Sequence, residues 1–290
     1  MFETIEKEIL SAQRETKKIL VIGLGQIGFS NAEYMTKLGL HVEGVDLNKE
    51  AVNRALHHKV IQKEATNFSG YDYYIICIST HNPENMFIPF LDGVYSIVKR
   101  ISKEGKTGGL VGIDSTITRG TSKKLESILD HRLHVVHVPH RFYIHEKESH
   151  GVNQKRVVGG CKPCCTEAAF GFYHNILKIP LQRVNSIEIA EMTKIVENSY
   201  RFMEIAFAEE LKIICDRINI DFGELRHAVN SKWNIDILEA KEGIGGHCLP
   251  KDSQMLLDIS NKILPYSIIE TAKKIDSSYR LHQNPRLEIK

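Results

Sequence analysis

The segment KILVIGLGQIG near the start of the chain joins a short apolar run to a glycine-rich turn and then to a helical pattern. Its glycines, Gly23, Gly25 and Gly28, have the spacing GxGxxG, with Gln26 and Ile27 between the last two. In such a turn the first glycine allows the bend, the second lets the backbone approach a pyrophosphate, and the third lets helix pack on strand. The segment therefore predicts a dinucleotide-binding βαβ unit.

An acidic residue follows at the distance that such a site requires. Asp46 ends the next apolar run, HVEGVD, 18 residues after Gly28. A carboxylate at this position accepts hydrogen bonds from both ribose hydroxyls and repels a 2′-phosphate. We therefore expect the cofactor to be NAD and not NADP.

Strand-like and helix-like segments alternate through the first half of the chain. The strand-like runs are KILVIGL, HVEGVDL, YDYYIICIST, GGLVGIDS, LHVVHVP and KRVVGG. This alternation predicts an α/β, Rossmann-like domain with a mainly parallel sheet. From about Asn185 the pattern becomes helical, and EIAEMTKIVENSYRFMEIAFAEELKIICDRI contains neither glycine nor proline. We predict an NAD-binding domain over 18–184 and an all-helical central domain with one long spine helix over 185–290.

Composition and the first residues exclude several classes of protein. With 42% hydrophobic residues, 26% charged residues and a net charge of +2, the chain is typical of a soluble protein that does not bind nucleic acid. No apolar run approaches the roughly 20 residues needed to span a bilayer. Residues 1–17 mix both charge signs and place Phe2, Ile5, Ile9 and Leu10 at helical spacing. They predict a helical extension and not a signal peptide, so we expect a cytoplasmic protein without a membrane partner.

Cysteines and histidines raise the question of a metal site. The segment Cys161-Lys-Pro-Cys164-Cys165 has no second cysteine pair elsewhere, whereas zinc takes about four ligands. Histidines spaced three apart along a strand alternate between its faces and cannot all converge. The histidines concerned are His131, His134, His137, His140, His145 and His150. We predict reduced thiols packed at a strand-to-helix turn, and no metal site.

Two groups of side chains suggest redox chemistry on an alcohol. Lys194 and Asn198 lie four residues apart and project from one helix face, where they could hold an alcohol or alkoxide oxygen. Cys248 lies in GIGGHCLPKD, close to Lys251 and Asp252, and a neighbouring cation lowers the pKa of a thiol. A primary alcohol that is oxidised to an acid passes through an aldehyde, which must add a nucleophile before losing a second hydride. A cysteine adduct meets this requirement, and the resulting thioester is then hydrolysed.

Together these segments resemble the UDP-glucose/GDP-mannose dehydrogenase family over about Lys18 to Ser278. The resemblance rests on VIGLGQIG, VDLN, DSTITRGT, KRVVGG, AEMTKIVENSYR and GIGGHCLPKD. His247 before Cys248 is most similar to the UDP-N-acetylmannosamine dehydrogenases of the family. Lys251 before Asp252 resembles the UDP-glucose dehydrogenases.

The resemblance implies an NAD-dependent, four-electron oxidation of the C6 alcohol of a nucleotide sugar to a uronic acid. Cys248 would form the thiohemiacetal and the thioester. Lys194 and Asn198 would stabilise the oxygen of the reacting carbon, and Asp252 with Thr116 would handle the proton and the water. Further cofactor contacts are implied at Ser79, Thr80, Ser115 and Thr116, and substrate contacts at Arg141, Gly245, Gly246 and Lys251.

The chain departs from the family at several positions. His140 follows Pro139 where the family carries a glutamate implicated in thioester hydrolysis. We include His140 among the catalytic residues because an imidazole can act as a general base near neutral pH. Asn234 stands where an arginine is often found. A third domain, which grips the nucleotide in the family, would begin where this sequence ends. We therefore expect either a fragment or natural short form without that domain, or a substrate that is held differently.

Oligomeric state and two rival functions remain open. The central helix of the family implies a homodimer, and the apolar spacing of Ile195, Phe202, Ile205 and Leu211 permits one. A short β-hydroxyacid dehydrogenase would have a similar size, fingerprint and helix, but it has no use for Cys248. A non-catalytic NAD-binding subunit would bind NAD without turnover.

Overall fold

A computed structural model of the chain describes residues 17–85, 87–143, 146 and 150–284. The helical extension predicted for 1–17 lies outside these residues, apart from Lys17. The chain divides into two compact units. The first unit comprises the residues up to Thr80 together with Phe90–Thr193, and the second comprises His81–Pro89 together with the residues from Lys194 onward.

An eight-stranded sheet forms the centre of the first unit. Its strands are β1 (Lys18–Ile22), β2 (His41–Val45), β3 (Lys63–Glu64), β4 (Tyr73–Ile76), β5 (Leu110–Ile113), β6 (His134–His137), β7 (Arg156–Gly160) and β8 (Leu181–Arg183). The strand order is β3-β2-β1-β4-β5-β6-β7-β8. All neighbouring strands are parallel except β6 and β7, which pair antiparallel through Val136 with Gly160 and His137 with Gly159. The sheet is therefore Rossmann-like and mainly parallel, as predicted.

Nine α-helices complete the described chain. They are α1 (Gln26–Lys37), α2 (Lys49–His57), α3 (Asp92–Glu104), α4 (Thr121–Leu129), α5 (Pro163–Ala169), α6 (Ile187–Ile218), α7 (Phe222–Asn230), α8 (Cys248–Ser260) and α9 (Ile268–Gln283). A π-helical segment over Phe170–Ile176 continues α5. Helix α6 has 32 residues and is the predicted spine helix. No helix among the described residues is both long enough and apolar enough to cross a bilayer.

Alternating side chains of the strands build two hydrophobic layers in the first unit. In β1, Ile19 and Val21 pack into the layer that includes residues of α1, α2 and α5. Leu20 and Ile22 point the other way, into the layer that includes residues of α3 and α4. Both layers are buried because parallel strands joined by crossover helices are covered on both faces. The carboxyl ends of β1, β2, β4 and β5 therefore form the accessible edge where a ligand can bind.

A buried polar network lies inside the first of these layers. Asp114 follows β5 and is fully buried, and its Oδ2 accepts hydrogen bonds from Arg156 Nη1 at 2.8 Å and Asn31 Nδ2 at 2.9 Å. Its Oδ1 accepts from the Tyr173 hydroxyl at 2.9 Å. Arg156 also donates to the carbonyl of Val152 at 3.0 Å. A buried ion pair needs such additional hydrogen bonds to offset its desolvation.

The α/β architecture and the long helix are confirmed, and the differences concern short or late elements. Strands β3 and β8 were not predicted, since runs of two and three residues carry no detectable alternation. The segment read as a glycine loop around Cys248 is only partly a loop, because α8 begins at Cys248 itself. The last helix continues to Gln283, beyond Ser278, where the resemblance to the family ends.

Candidate active site

The glycine turn after β1 forms a tight backbone cradle in the first unit. Gly23 has a φ of +91°, and a Cβ placed on Gly28 would lie 1.7 Å from the carbonyl oxygen of Gly23. A Cβ placed on Gly25 would meet nothing within 4 Å. Gln26 and Ile27 begin α1, which has no side-chain cap and no acidic residue in its first turn. The free N–H groups of this helix start favour an anionic group such as a pyrophosphate.

Asp46 holds this turn from the end of β2. Its Oδ2 accepts a hydrogen bond from the backbone N–H of Leu24 at 2.6 Å, and its Oδ1 accepts one from Asn48 at 2.8 Å. A carboxylate oxygen has two lone pairs, so each oxygen can accept a further hydrogen bond from a ribose hydroxyl. The turn, the helix start and the carboxylate together fit a dinucleotide with an unmodified ribose.

The loops after β4 and β5 contain the other predicted cofactor residues, Ser79, Thr80, Ser115 and Thr116. The Ser115 hydroxyl donates to the carbonyl of Ile78 at 2.7 Å, and the Thr80 hydroxyl donates to that of Thr116 at 2.7 Å. These bonds tie the two loops together at the carboxyl edge of the sheet. A direct contact of these residues with the cofactor remains a prediction.

His140 and Arg141 follow β6 in the first unit. His140 is half-buried. Arg141 Nη1 donates to the carbonyl of Lys155 at 2.9 Å, and the Arg141 carbonyl accepts from Gln154 Nε2 at 2.9 Å. These bonds join the segment after β6 to the segment before β7. The base role of His140 and the substrate role of Arg141 remain predictions.

In the second unit, the predicted catalytic residues of α6 and α8 meet. Asp252 lies one helical turn after Cys248, so the two side chains share a face of α8. The Asp252 side chain is only 1% exposed; its Oδ1 accepts from Lys251 Nζ and its Oδ2 from Asn198 Nδ2, each at 2.5 Å. Sequence spacing placed Asn198 and Lys194 on one helix face, and the structure joins that face to α8 through Asp252.

The pKa of the Cys248 thiol is shifted in the direction opposite to the one expected from the sequence. Burial raises the pKa of the Cys248 thiol, and the Asp252 carboxylate raises it further, while Lys251 and Lys194 lower it. The neighbouring cations therefore act in the predicted direction but do not dominate. The pKa is above its usual value, so the resting thiol is protonated at neutral pH and needs a base to become a nucleophile. The carboxylate of Asp252 is a base on the same helix face.

Sequence reasoning missed a histidine in the second unit. The ring of His81 lies 4.9 Å from that of His247, measured between centroids, in a tilted arrangement. Burial, followed by His247 and Lys251, lowers the pKa of His81. No motif indicated His81, because it lies far from the GGHC segment in sequence and joins it only through the fold.

A cavity of about 850 Å³ lies beside the glycine segment of the second unit. Its lining includes Gly245, Gly246 and Pro250, and the side chains of Lys273 and Arg280 from α9. Cβ atoms on Gly245 or Gly246 would meet nothing within 4 Å, so their backbone faces open space. The volume suits a ligand of nucleotide size, and the lining carries two cationic residues, Lys273 and Arg280, and two acidic ones, Asp258 and Asp276.

Helix α9 fixes the backbone of this glycine segment. Arg280 Nη2 donates to the carbonyl of Ile244 at 2.7 Å, and Asp276 Oδ1 accepts from the N–H of Ile244 at 2.7 Å. Asp276 and Arg280 also pair with each other at 3.0 Å. In the sequence, Asp276 and Arg280 have the i,i+4 spacing of a helical ion pair. Their contact with the backbone of Ile244 could not be predicted from that spacing.

Glu209 of α6 lies near the Asp276–Arg280 pair, and its carboxylate should make the stability of the protein depend on pH. Its carboxylate is fully buried, and neither oxygen has a hydrogen-bond partner within the described structure. Burial, with a smaller effect of Asp276, raises the pKa of Glu209 to about 7. The folded protein therefore binds the proton more tightly than the unfolded chain, and this group makes stability fall as pH rises from about 4.5 to about 7.

The test compares thermal unfolding of the wild type and Glu209→Gln at about pH 5 and about pH 8. We expect the variant to gain stability relative to the wild type at the higher pH. Glu210→Gln, at the exposed neighbouring position, is the matched control and should show no such pH-dependent gain. Equal behaviour of the two variants at both pH values would contradict the raised pKa.

Comparisons with known proteins bear on the same residues. The sequence pattern described as the UDP-glucose/GDP-mannose dehydrogenase family, central domain, matches residues 188–278, which contain Lys194, Asn198 and Cys248. A UDP-N-acetyl-D-mannosamine dehydrogenase of Methanococcus maripaludis is 30% identical over 269 residues, covering 85% of this chain and 62% of that protein. An NDP-N-acetyl-D-galactosaminuronic acid dehydrogenase of Ralstonia solanacearum is 28% identical over 295 residues, covering 90% of this chain and 69% of that protein.

A comparison of folds finds a relative of the same kind among solved structures. The structure of UDP-D-ManNAc dehydrogenase from Pyrococcus horikoshii matches with a TM-score of 0.79 and 26% identity, covering 90% of this chain and 68% of that one. The present chain spans less than two thirds of the length of the Methanococcus maripaludis protein, of which it covers 62%.

Proposed function

Since this chain belongs to the UDP-glucose/GDP-mannose dehydrogenase family, we propose that it oxidises the C6 alcohol of a nucleotide sugar to a carboxylate with NAD. The observation that carries the proposal is the cluster of Cys248, Asp252, Asn198 and Lys251 on α6 and α8. Oxidation to a ketone or aldehyde alone requires no nucleophile. A thiol beside a buried carboxylate and an amide suits a reaction that passes through a thioester.

The chemistry assigns a role to each side chain. The glycine turn and Asp46 would hold NAD, which would supply the hydride acceptor for both oxidations of C6. Asp252 takes the thiol proton of Cys248 as the sulfur adds to the aldehyde carbon. Asn198 and Lys194 donate to the oxygen of the reacting carbon and stabilise its developing negative charge. Water then cleaves the C–S bond of the thioester, which releases the carboxylic acid and restores the thiol.

The substrate that we propose is a nucleotide-diphosphate acetamido sugar. Two observations support this class. The relatives at 28–30% identity are dehydrogenases of N-acetylated sugars, and the second unit offers an open cavity with Lys273 and Arg280 in its lining. In the cavity, Lys273 would face the diphosphate, while the backbone of Gly245 and Gly246 would approach the sugar.

The stoichiometry of the reaction tests the proposal. Purified protein is incubated with NAD and, separately, UDP-N-acetylmannosamine, UDP-N-acetylgalactosamine, UDP-glucose or GDP-mannose, and NADH and consumed sugar are counted. We expect two NADH per acetamido sugar. One NADH per sugar would replace the thioester route by a simple alcohol oxidation, as in a β-hydroxyacid dehydrogenase. NAD binding without NADH from any sugar would favour a binding subunit.

An exposed apolar stripe on α6 supports a homodimer. Ile195 and Phe202, whose apolar spacing permits a dimer, are 0% and 2% exposed within the single chain and therefore belong to its own core. A different face of α6 stays open to solvent. Its residues are Val196, Tyr200, Phe207, Ile214 and Ile218, each at least 46% exposed. Their spacing of four and seven residues forms one stripe, which suits packing against the same helix of a second copy.

The variant Phe207→Glu tests this interface. Phe207 lies at the centre of the stripe, which a dimer would bury. A charge there is expected to cost at least about 1.4 kcal/mol of association free energy and so to weaken dimerisation at least about tenfold. Sedimentation equilibrium measures the change. Arg201→Glu, which is exposed but lies off the stripe, is the matched control and should leave the dimer intact. A wild-type monomer at all concentrations would exclude the interface.

A further inference from the structure

A cluster of imidazole and thiol groups lies in the first unit, away from the glycine turn. His134, Cys164 and Cys165 each place one possible ligand atom within 4.8 Å of the others. His131 joins them, because its Nε2 lies 3.6 Å from Cys164 Sγ and its ring lies 5.9 Å from that of His134. We propose that these four side chains bind a divalent transition-metal ion of the Zn²⁺ class.

The antiparallel strand pair explains why these residues meet. Strand β7 runs opposite to β6, and the N–H of Cys161 donates to the carbonyl of Val135 at 3.1 Å. The chain after β7 therefore passes beside the chain that enters β6. His131 has a φ of +52° and lies in the turn before β6, not on the strand. The alternation of faces that seemed to separate the histidines does not apply to His131.

Distances within the cluster match those of a tetrahedral zinc site. With Zn–S of about 2.3 Å and Zn–N of about 2.1 Å, tetrahedral ligands lie about 3.6 Å apart for an S–N pair and about 3.8 Å apart for an S–S pair. The Cys164 Sγ to His131 Nε2 distance of 3.6 Å equals the first value. The separations among His134, Cys164 and Cys165, up to 4.8 Å, close by small rotations of the side chains.

A carboxylate lies near one histidine of the cluster, and a ring nitrogen of the other is buried. Glu126 Oε1 lies 3.6 Å from His131 Nδ1, which leaves Nε2 directed towards Cys164, and Lys162 Nζ lies 3.4 Å from the same carboxylate oxygen. At this distance His131 Nδ1 makes no hydrogen bond to Glu126, whereas a metal-bound histidine typically donates its second ring N–H to such a carboxylate. His134 Nδ1 is buried, and no hydrogen-bond partner for it is found in the described residues.

The ligand set selects the kind of ion. Two thiolates and two imidazoles suit Zn²⁺ and similar borderline ions, whereas Mg²⁺ and Ca²⁺ take oxygen ligands. Cys164 is exposed and gives solvent access, while Cys165 is buried. Cys161, the partner that a CxxC spacing suggests, points elsewhere and contacts the carbonyl of Ser122 at 3.5 Å. The metal therefore takes Cys164 and Cys165 with the two histidines.

The position of the cluster indicates a structural role for the ion. His134 begins β6, so the cluster lies at the amino end of this strand. The glycine turn and Asp46 lie at the carboxyl ends of β1 and β2, at the opposite edge of the parallel sheet. A metal ion bound to the cluster would join the turn before β6 to the start of α5, at the edge of the sheet opposite to the glycine turn.

Metal titration of the reduced full chain tests the inference. Protein freed of metal by chelation is titrated with Co²⁺ and then Zn²⁺, and bound metal is counted by mass spectrometry. We expect one ion per chain, a thiolate-to-cobalt charge-transfer band that Zn²⁺ abolishes, and a rise in the unfolding temperature. Cys164→Ser and His134→Ala should each weaken binding by at least about 100-fold, more than is typical for loss of a residue behind a ligand.

Matched substitutions separate this cluster from other thiols. Cys161→Ser and Cys248→Ser remove cysteines outside the cluster and should keep the cobalt band and the unfolding shift. The inference is overturned if metal binding persists in Cys164→Ser, or if it is lost in Cys248→Ser. Absence of binding by the reduced wild type, or an ion that causes no thiolate band, would also overturn it.

Discussion

Replacing Cys248 by alanine is expected to abolish formation of the sugar acid. The variant keeps Asp252, Asn198 and Lys251 but has no sulfur to hold the aldehyde for the second oxidation. Removal of a covalent nucleophile lowers turnover by at least about 1,000-fold in enzymes of this kind. The measurement is the rate of acid formation from the active sugar, followed by chromatography and by NADH release.

Binding of NAD distinguishes a chemical from a structural effect in this variant. Cys248 is the first residue of α8, where alanine is well tolerated, so the variant should leave the fold and the NAD affinity unchanged. Cys161→Ser is the control for loss of a thiol elsewhere and should retain the full rate. Undiminished acid formation by Cys248→Ala would eliminate the thioester route.

Replacing Asp114 by alanine is expected to lower the free energy of unfolding by about 3 to 5 kcal/mol. The Arg156 guanidinium, which is 1% exposed, would then remain charged in the interior without its counter-ion. The Asn31 amide and the Tyr173 hydroxyl would each lose an acceptor. Urea denaturation measures the change through the midpoint and slope of the transition.

A surface ion pair provides the comparison for this prediction. Glu33→Ala removes an exposed pair with Lys37 on α1, and such pairs contribute at most about 1 kcal/mol. Tyr173→Phe removes one hydrogen bond to Asp114 and should cost an intermediate amount, about 1 kcal/mol. A loss in Asp114→Ala no larger than that in Glu33→Ala would show that Arg156 finds another partner or water.

The sequence predicted those features that depend on local pattern. The strand, glycine turn and helix around Gly25 follow one another directly, and the 32-residue helix α6 has an uninterrupted apolar period. The spacing of Lys194 and Asn198 gave their shared helix face. For these features, neighbouring residues supply the physical cause, and no long-range contact is needed to recognise them.

Features that depend on contacts between residues far apart in the chain could not be predicted from the sequence. The direction of the Cys248 pKa shift depends on burial and on Asp252 more than on the adjacent lysine. Arg280 is linked to Ile244 across 36 residues. His131 and Cys164 lie 33 residues apart and meet because β6 and β7 pair antiparallel. Each of these features needs the tertiary fold, which a single sequence shows only by resemblance.

The buried network also has a consequence for the order in which the chain assembles. Asp114 precedes Arg156 by 42 residues and Asn31 precedes it by 125. During synthesis, the strands from β1 to β6 leave the ribosome before the cation that neutralises Asp114. A nascent chain that stops before β7 is therefore expected to be loosely packed around this carboxylate, and the arrival of β7 closes the core.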